Sequence, residues 1–124
     1  MSVSEVIISG ILLLSIDSIY LSLIKDLFKN QIESVQKSPL KLDYYGAALS
    51  YLFLIIGINY FVLCRNGNYM DAFVLGVVIY GVYEATSYAL LKNWKPSTVV
   101  IDTIWGGILF ALVAYLTKKI AKFV

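Results

Sequence analysis

Long apolar runs alternate with short polar gaps along the chain. The runs are Val6–Ile24, broken only by Asp17; Tyr44–Cys64, with no charge; Ala72–Leu91, broken by Glu84; and Ser97–Thr117, broken by Asp102. A helix needs about 20 mostly apolar residues to cross the hydrocarbon of a bilayer, whereas a barrel strand needs about 9–11 alternating ones. These runs have the helical length and do not alternate. The pattern predicts an all-α fold: a four-helix transmembrane bundle, antiparallel up-down, with both termini on the same side. The spans fall near 5–25, 43–64, 70–92 and 97–118, within a single integral membrane domain covering 1–124.

The gaps carry the turn chemistry. In the first, 25–43, Phe28, Ile32 and Val35 stand at i, i+4, i+7 with Lys25, Lys29 and Lys37 elsewhere. That spacing fits either a helical extension lying at the interface, over 26–38, or a solvated loop. Arg65–Asn66–Gly67–Asn68 reads as a turn in which Gly67 takes positive φ. In Asn93–Trp94–Lys95–Pro96, Trp94 is expected at headgroup depth and Pro96 at the opening of the last helix. Tyr44, Tyr45, Tyr60 and Tyr69 fit interfacial belts. The residues before Val6 include Glu5 and no Lys or Arg, and no small-residue cleavage site follows, so the first run reads as a span and not a signal peptide. Small residues that could bring helices together form rows on every span: Ser15, Ser18 and Ser22; Gly46 and Ser50; Gly81, Ala85 and Ala89; Gly107, Ala111 and Ala114. Such rows also fit a dimerisation face, so a homo-oligomer is open.

Composition agrees with the pattern. Hydrophobic residues make up 60% and charged residues 15%, against about 45–50% and about 25% in soluble domains. The lipid bilayer is therefore the expected partner. A net charge of +2, confined to the gaps, gives no reason to expect nucleic acid. The gaps on the 25–43 side hold Lys25, Lys29, Lys37, Lys41, Lys92 and Lys95, against Arg65, Lys118, Lys119 and Lys122 on the other. The positive-inside rule then makes the longer 25–43 loop cytoplasmic. Cys64 is the single cysteine and excludes an internal disulfide. Histidine is absent, which excludes histidine-based nucleophilic catalysis and imidazole ligation of haem or copper. A metal would need oxygen ligands, and the chain has no metal-ligand motif or phosphate-cradling loop. No metal and no cofactor are expected.

The candidate chemistry lies in three carboxylates, Asp17, Glu84 and Asp102, each costing about 2.5–3.5 kcal/mol at the bilayer centre. Counting about 1.5 Å per helical residue from the nearest gap puts all three near one level, approached from one membrane face. No Lys, Arg or His lies within the apolar runs to neutralise them. Carboxylates crowded in low dielectric cannot all ionise, so a shared proton is expected. Tyr20, Tyr51, Tyr80, Ser87, Tyr88 and Trp105 stand at helical spacing or similar depth and are the expected partners.

The segments Tyr83-Glu84-Ala85-Thr86-Ser87, Asn93-Trp94 and Asp102-Thr103-Ile104-Trp105-Gly106, together with Asp17 ahead of Tyr20-Leu21, resemble the family of small predicted four-span membrane proteins grouped as domain of unknown function 2177. The resemblance covers nearly the whole chain. The Lys- and Tyr-rich loops depart from the Arg-rich loops of that family. It implies the fold and membrane location, and no activity, cofactor or substrate. Three functions fit the residues: a site that binds or translocates a proton, a cation or a small cationic or lipid-like molecule; a membrane enzyme doing acid/base chemistry on a lipid; or a structural component of a membrane assembly, including a viral internal membrane. Whether the protein is an enzyme stays open at this point.

Overall fold

The computed structural model describes residues 2–123. Four helices run up and down in chain order: α1 (Val3–Gln36), α2 (Tyr44–Ile58, continued by a wider π turn, Asn59–Leu63), α3 (Tyr69–Leu90) and α4 (Pro96–Ala121). Each is long and apolar enough to cross a membrane. Both chain ends therefore lie at one end of the bundle. The surface is inverted relative to a soluble protein: Leu23, Val82 and Leu90 are 63–80% exposed, while Ser9, Asp17, Gln31, Asn59, Glu84, Thr98, Asp102 and Thr117 are buried. Lipid explains this arrangement, because it solvates an apolar periphery and leaves polar groups to be satisfied inside.

The stretch 26–36 is helical, as an extension of α1 and not as a solvated loop. No Gly or Pro interrupts the sequence from Ile11 to Ser38, so α1 continues unbroken to Gln36 and is capped by Lys37 in the left-handed region (φ 60°). Its 34 residues span about 51 Å at helical rise, well beyond the hydrocarbon thickness of about 30 Å. The last three turns are an overhang. Gln31, buried on it, fastens the α3–α4 turn: its Oε1 accepts from Lys95 N (2.9 Å) and Thr98 Oγ1 (3.1 Å), and its Nε2 donates to the Asn93 carbonyl. Gln31→Leu removes all three bonds and leaves buried turn groups unsatisfied, a cost of roughly 1–3 kcal/mol. Amide exchange at Asn93–Thr98 should accelerate in this variant; unchanged protection there would show that the turn holds itself.

Local chemistry sets the other ends. Asp43 caps α2 by accepting from Tyr45 N and Gly46 N, and Asn68 and Asp71 form a reciprocal capping box at the start of α3. Pro96 opens α4, as its missing N–H and fixed φ favour. In the α2–α3 turn, Asn66 takes positive φ (55°), not Gly67. Gly67 N and Asn66 N bond back to Val62 O and Leu63 O, a Schellman closure in which Asn fills the left-handed position. Gly67 is needed for room: a Cβ there would meet Val62 O at 3.1 Å. The π turn follows from Asn59, whose Nδ2 donates to its own Ile55 carbonyl (2.8 Å) and to Ser9 Oγ of α1 (2.9 Å). A side chain competing for that carbonyl loosens the ladder, and Cys64 N bonds five residues back to Asn59 O.

Of the rows of small residues read in the sequence, the one on α4 packs, since a Cβ at Gly107 would meet Phe73 and Val77 of α3 at 2.7 Å and Ala114 is 1% exposed in the core. The rows on α1 and α2 and most of that on α3 do not. Ser15, Ser18 and Ser22 are exposed, and the last two bond to their own helix. Gly46, Ser50, Ala85 and Ala89 also face outward. The close seam is α3 on α4, where Gly76 lies against the Gly106 backbone and Tyr80 covers Gly106. Beside it, the core of Leu13, Ile58, Val62, Leu109, Phe110 and Val113 is 0–1% exposed.

Candidate functional site

The α3–α4 seam fixes the acids. Glu84 lies two turns from Gly76 on α3, and Asp102 one turn from Gly106 on α4, so the crossing sets the two carboxyl groups beside each other. Glu84 is fully buried. Its Oε1 accepts the indole N–H of Trp94 at 2.9 Å, while Oε2 has no donor among the described residues. Asp102 is 8% exposed and accepts the Tyr20 hydroxyl on Oδ1 at 3.3 Å. Tyr20 stacks on Trp105 with centroids 4.3 Å apart and planes 6° from parallel. Trp105 in turn donates to Asp17 Oδ1 at 3.0 Å, and the Tyr51 hydroxyl donates to Asp17 Oδ2. One connected set thus runs from Trp94 through Glu84, Asp102, Tyr20, Trp105 and Asp17 to Tyr51, drawing on all four helices.

The three acids of this ladder lie within about one turn of one another in depth. Trp105, three residues on from Asp102, donates to Asp17, and Tyr20, three residues on from Asp17, donates to Asp102, so Asp17 stands about one turn deeper than Asp102. Gln31, fourteen residues past Asp17, stands beside the α3–α4 turn, because α1 does not leave the bundle at Lys25. Among the described residues no three acidic or cysteine side chains gather closely enough to hold a metal ion.

The expected partners divide. Tyr20, Tyr51 and Trp105 bond or stack within the ladder. Tyr80 packs edge-on to Phe110, with centroids 6.4 Å apart, and lines a groove that Asp102 also lines. Tyr88 is 53% exposed and lies on another flank with Val99 and Val100. Ser87 is half-buried and has no bond to a carboxylate. Trp94, which the sequence puts at headgroup depth, is 6% exposed and turned inward onto Glu84. Asn93 in the left-handed region (φ 66°) and the Gln31 anchor shape the turn that carries it. Trp94 and Gln31 are the residues missed by sequence reading. Gln31 had one visible signal, a long polar side chain in register with Phe28 and Val35 on the overhang.

Beneath Asp17 the polar set stops. Leu13 is one turn further along α1, Leu109 one turn beyond Trp105, and Ile58 two turns beyond Tyr51. All three are 0% exposed. This layer separates the ladder from the Ser9–Asn59 pair on the other half of the bundle. Above, α2 and α3 approach at Gly57 and Ile79, and toward the Tyr44 end a groove of about 440 Å³ opens between them and reaches Asp102.

Comparison with curated proteins finds no match, and comparison with solved structures finds none either. A family model described as "Predicted membrane protein (DUF2177)" matches residues 3–118. That match takes in all four helices and every rung of the ladder, and the chain belongs to this family of predicted membrane proteins.

Proposed function

We propose that the carboxylate ladder is a one-sided intramembrane site that binds a cation or an exchangeable proton. It is reached from the face carrying the α1 overhang and the α3–α4 turn, which the lysine distribution makes the cytoplasmic one. The observation that carries this reading is the donor set. Every bond to the three acids comes from a neutral indole or phenol, and none from lysine or arginine among the described residues. Intramembrane acids without a basic partner commonly mark ion or proton sites. Ionised carboxylates only accept hydrogen bonds, so one proton held between Glu84 and Asp102 supplies the donor that Glu84 Oε2 lacks. A cation of matching charge does the same electrostatic work. The dry layer of Leu13, Ile58 and Leu109 supports access from one side rather than an open channel; transport would require that layer to part.

Infrared difference spectroscopy of the protein in lipid tests this. The wild type should show a protonated-carboxyl carbonyl band that responds to pH or to added cation. Glu84→Gln and Asp102→Asn should each remove or shift it. A spectrum without such a band, or one identical in all three proteins, would leave the acids as interhelical bonding groups and overturn the reading.

A further inference from the structure

The groove between α2 and α3 opens on the lipid-facing flank and has a carboxylate in its lining. Phe53 and Leu54 form one wall, Ile79, Tyr80 and Tyr83 the other, and Asp102 of α4 completes it. Its volume, about 440 Å³, falls within the range of about 300–1,000 Å³ usual for small-molecule sites. At its mouth Phe53 is 62% and Tyr83 53% exposed, where the helices' outer surface is apolar. We propose that this groove receives a membrane-dissolved organic cation, an ammonium or related onium group on an apolar body, with Asp102 as its counter-charge. The proposal rests on the reading of the ladder as a cation site and names the class of occupant.

Charge and shape select that occupant. No basic residue lines the groove, so nothing there matches a phosphate headgroup. An acyl chain would fill the walls but leave the acid unmatched. Three of its lining residues, Phe53, Tyr80 and Tyr83, are aromatic, and aromatic rings attract an organic cation most when water is excluded. Tyr20 holds one oxygen of Asp102. Behind Asp102 stands the fully buried Glu84 with an oxygen that has no donor. Two acids therefore face an incoming positive charge, and a proton lost from the pair compensates its arrival. Asp102 lies about 10 Å below the α3–α4 turn, so a cationic head entering sideways would leave its apolar body among the lipid chains.

Equilibrium binding of radiolabelled decyltrimethylammonium to the protein in lipid nanodiscs tests this, with empty nanodiscs giving the partition background. Decanol and decyl sulfate serve as neutral and anionic controls. Saturable binding is expected for the cation alone, weakened roughly tenfold or more by Asp102→Asn, the loss of one close charge pair. Ser50, exposed on the groove wall, provides a second variant: Ser50→Trp fills the groove from outside the core and should weaken binding comparably. Equal binding of decanol would mean that the groove holds a lipid chain. That result, or cation binding indifferent to both substitutions, overturns the proposal. A pH-responsive carboxyl band without saturable amphiphile binding also overturns it, while leaving the one-sided acid site intact.

Discussion

Gly76→Ala should destabilise the protein by roughly 1–3 kcal/mol, and Gly76→Leu should prevent recovery of a monodisperse bundle. A single methyl at Gly76 would overlap the Gly106 carbonyl of α4 and lie 3.0 Å from Phe110 Cβ. The obstructing atoms are backbone, which cannot rotate away, so α3 must move off α4. Gly81, five residues along the same helix, gives the opposite expectation. A Cβ there meets only the Thr103 methyl at an ordinary 3.5 Å, and Gly to Ala in a helix gains about 0.5–1 kcal/mol in backbone entropy. The two variants make the same chemical change with opposite signs. Thermal unfolding in detergent followed by circular dichroism would compare them; equal shifts would mean that the α3–α4 crossing is not the seam holding the bundle.

That seam also links stability to the site. Lipid supplies no hydrophobic force between helices, so close backbone approach and interhelical bonds must hold them. Tyr80 over Gly106 fixes the register in which Glu84 meets Asp102. Loosening the crossing should therefore change the carboxyl infrared band even where helical content survives. On the other half of the bundle, the Asn59–Ser9 bond ties α2 to α1, below the dry layer. The groove lies where α2 is free of α3, so the same packing that closes one end leaves the other accessible from lipid.

The four helices and the three acids were legible because each signal is local. An apolar run of bilayer length has few other uses, and a carboxylate inside one stands out. What was not legible depended on how helices meet. Gly76 and Gly106 sit among many small residues, and only the crossing distinguishes them from Ala85 and Ala89, which face outward. The full reach of α1 was hidden because Lys25 looks like the end of a span, yet nothing in the following residues stops the helix. The inward turn of Trp94 was hidden for a related reason. Tryptophan after a span usually rests at the interface, but a turn pinned by Gln31, sixty-three residues earlier, rotates this one inward. The alternation of Asn66 and Gly67 is subtler still: either can take the left-handed position, and the contact with Val62 decides it.

Trp94→Phe is expected to cost roughly 1–3 kcal/mol, the penalty for leaving a buried polar group without its partner. Glu84 is 0% exposed and receives a donor on one oxygen only, from the Trp94 indole. Phenylalanine keeps much of the ring packing and removes the N–H. The same substitution made in a Glu84→Leu background should cost far less, because an apolar residue asks for no donor and replacing a buried polar group outright is often close to neutral. The difference between the two costs is the coupling energy. Glu84→Gln separates the roles of the two oxygens: its amide oxygen can still accept from Trp94 while its NH₂ donates toward Asp102, where the native Oε2 has no donor. Stability should therefore hold or rise in Glu84→Gln as the carboxyl band changes. Equal costs of Trp94→Phe in both backgrounds would mean that the indole stabilises the turn alone, and that Glu84 takes its support from Asp102 without it.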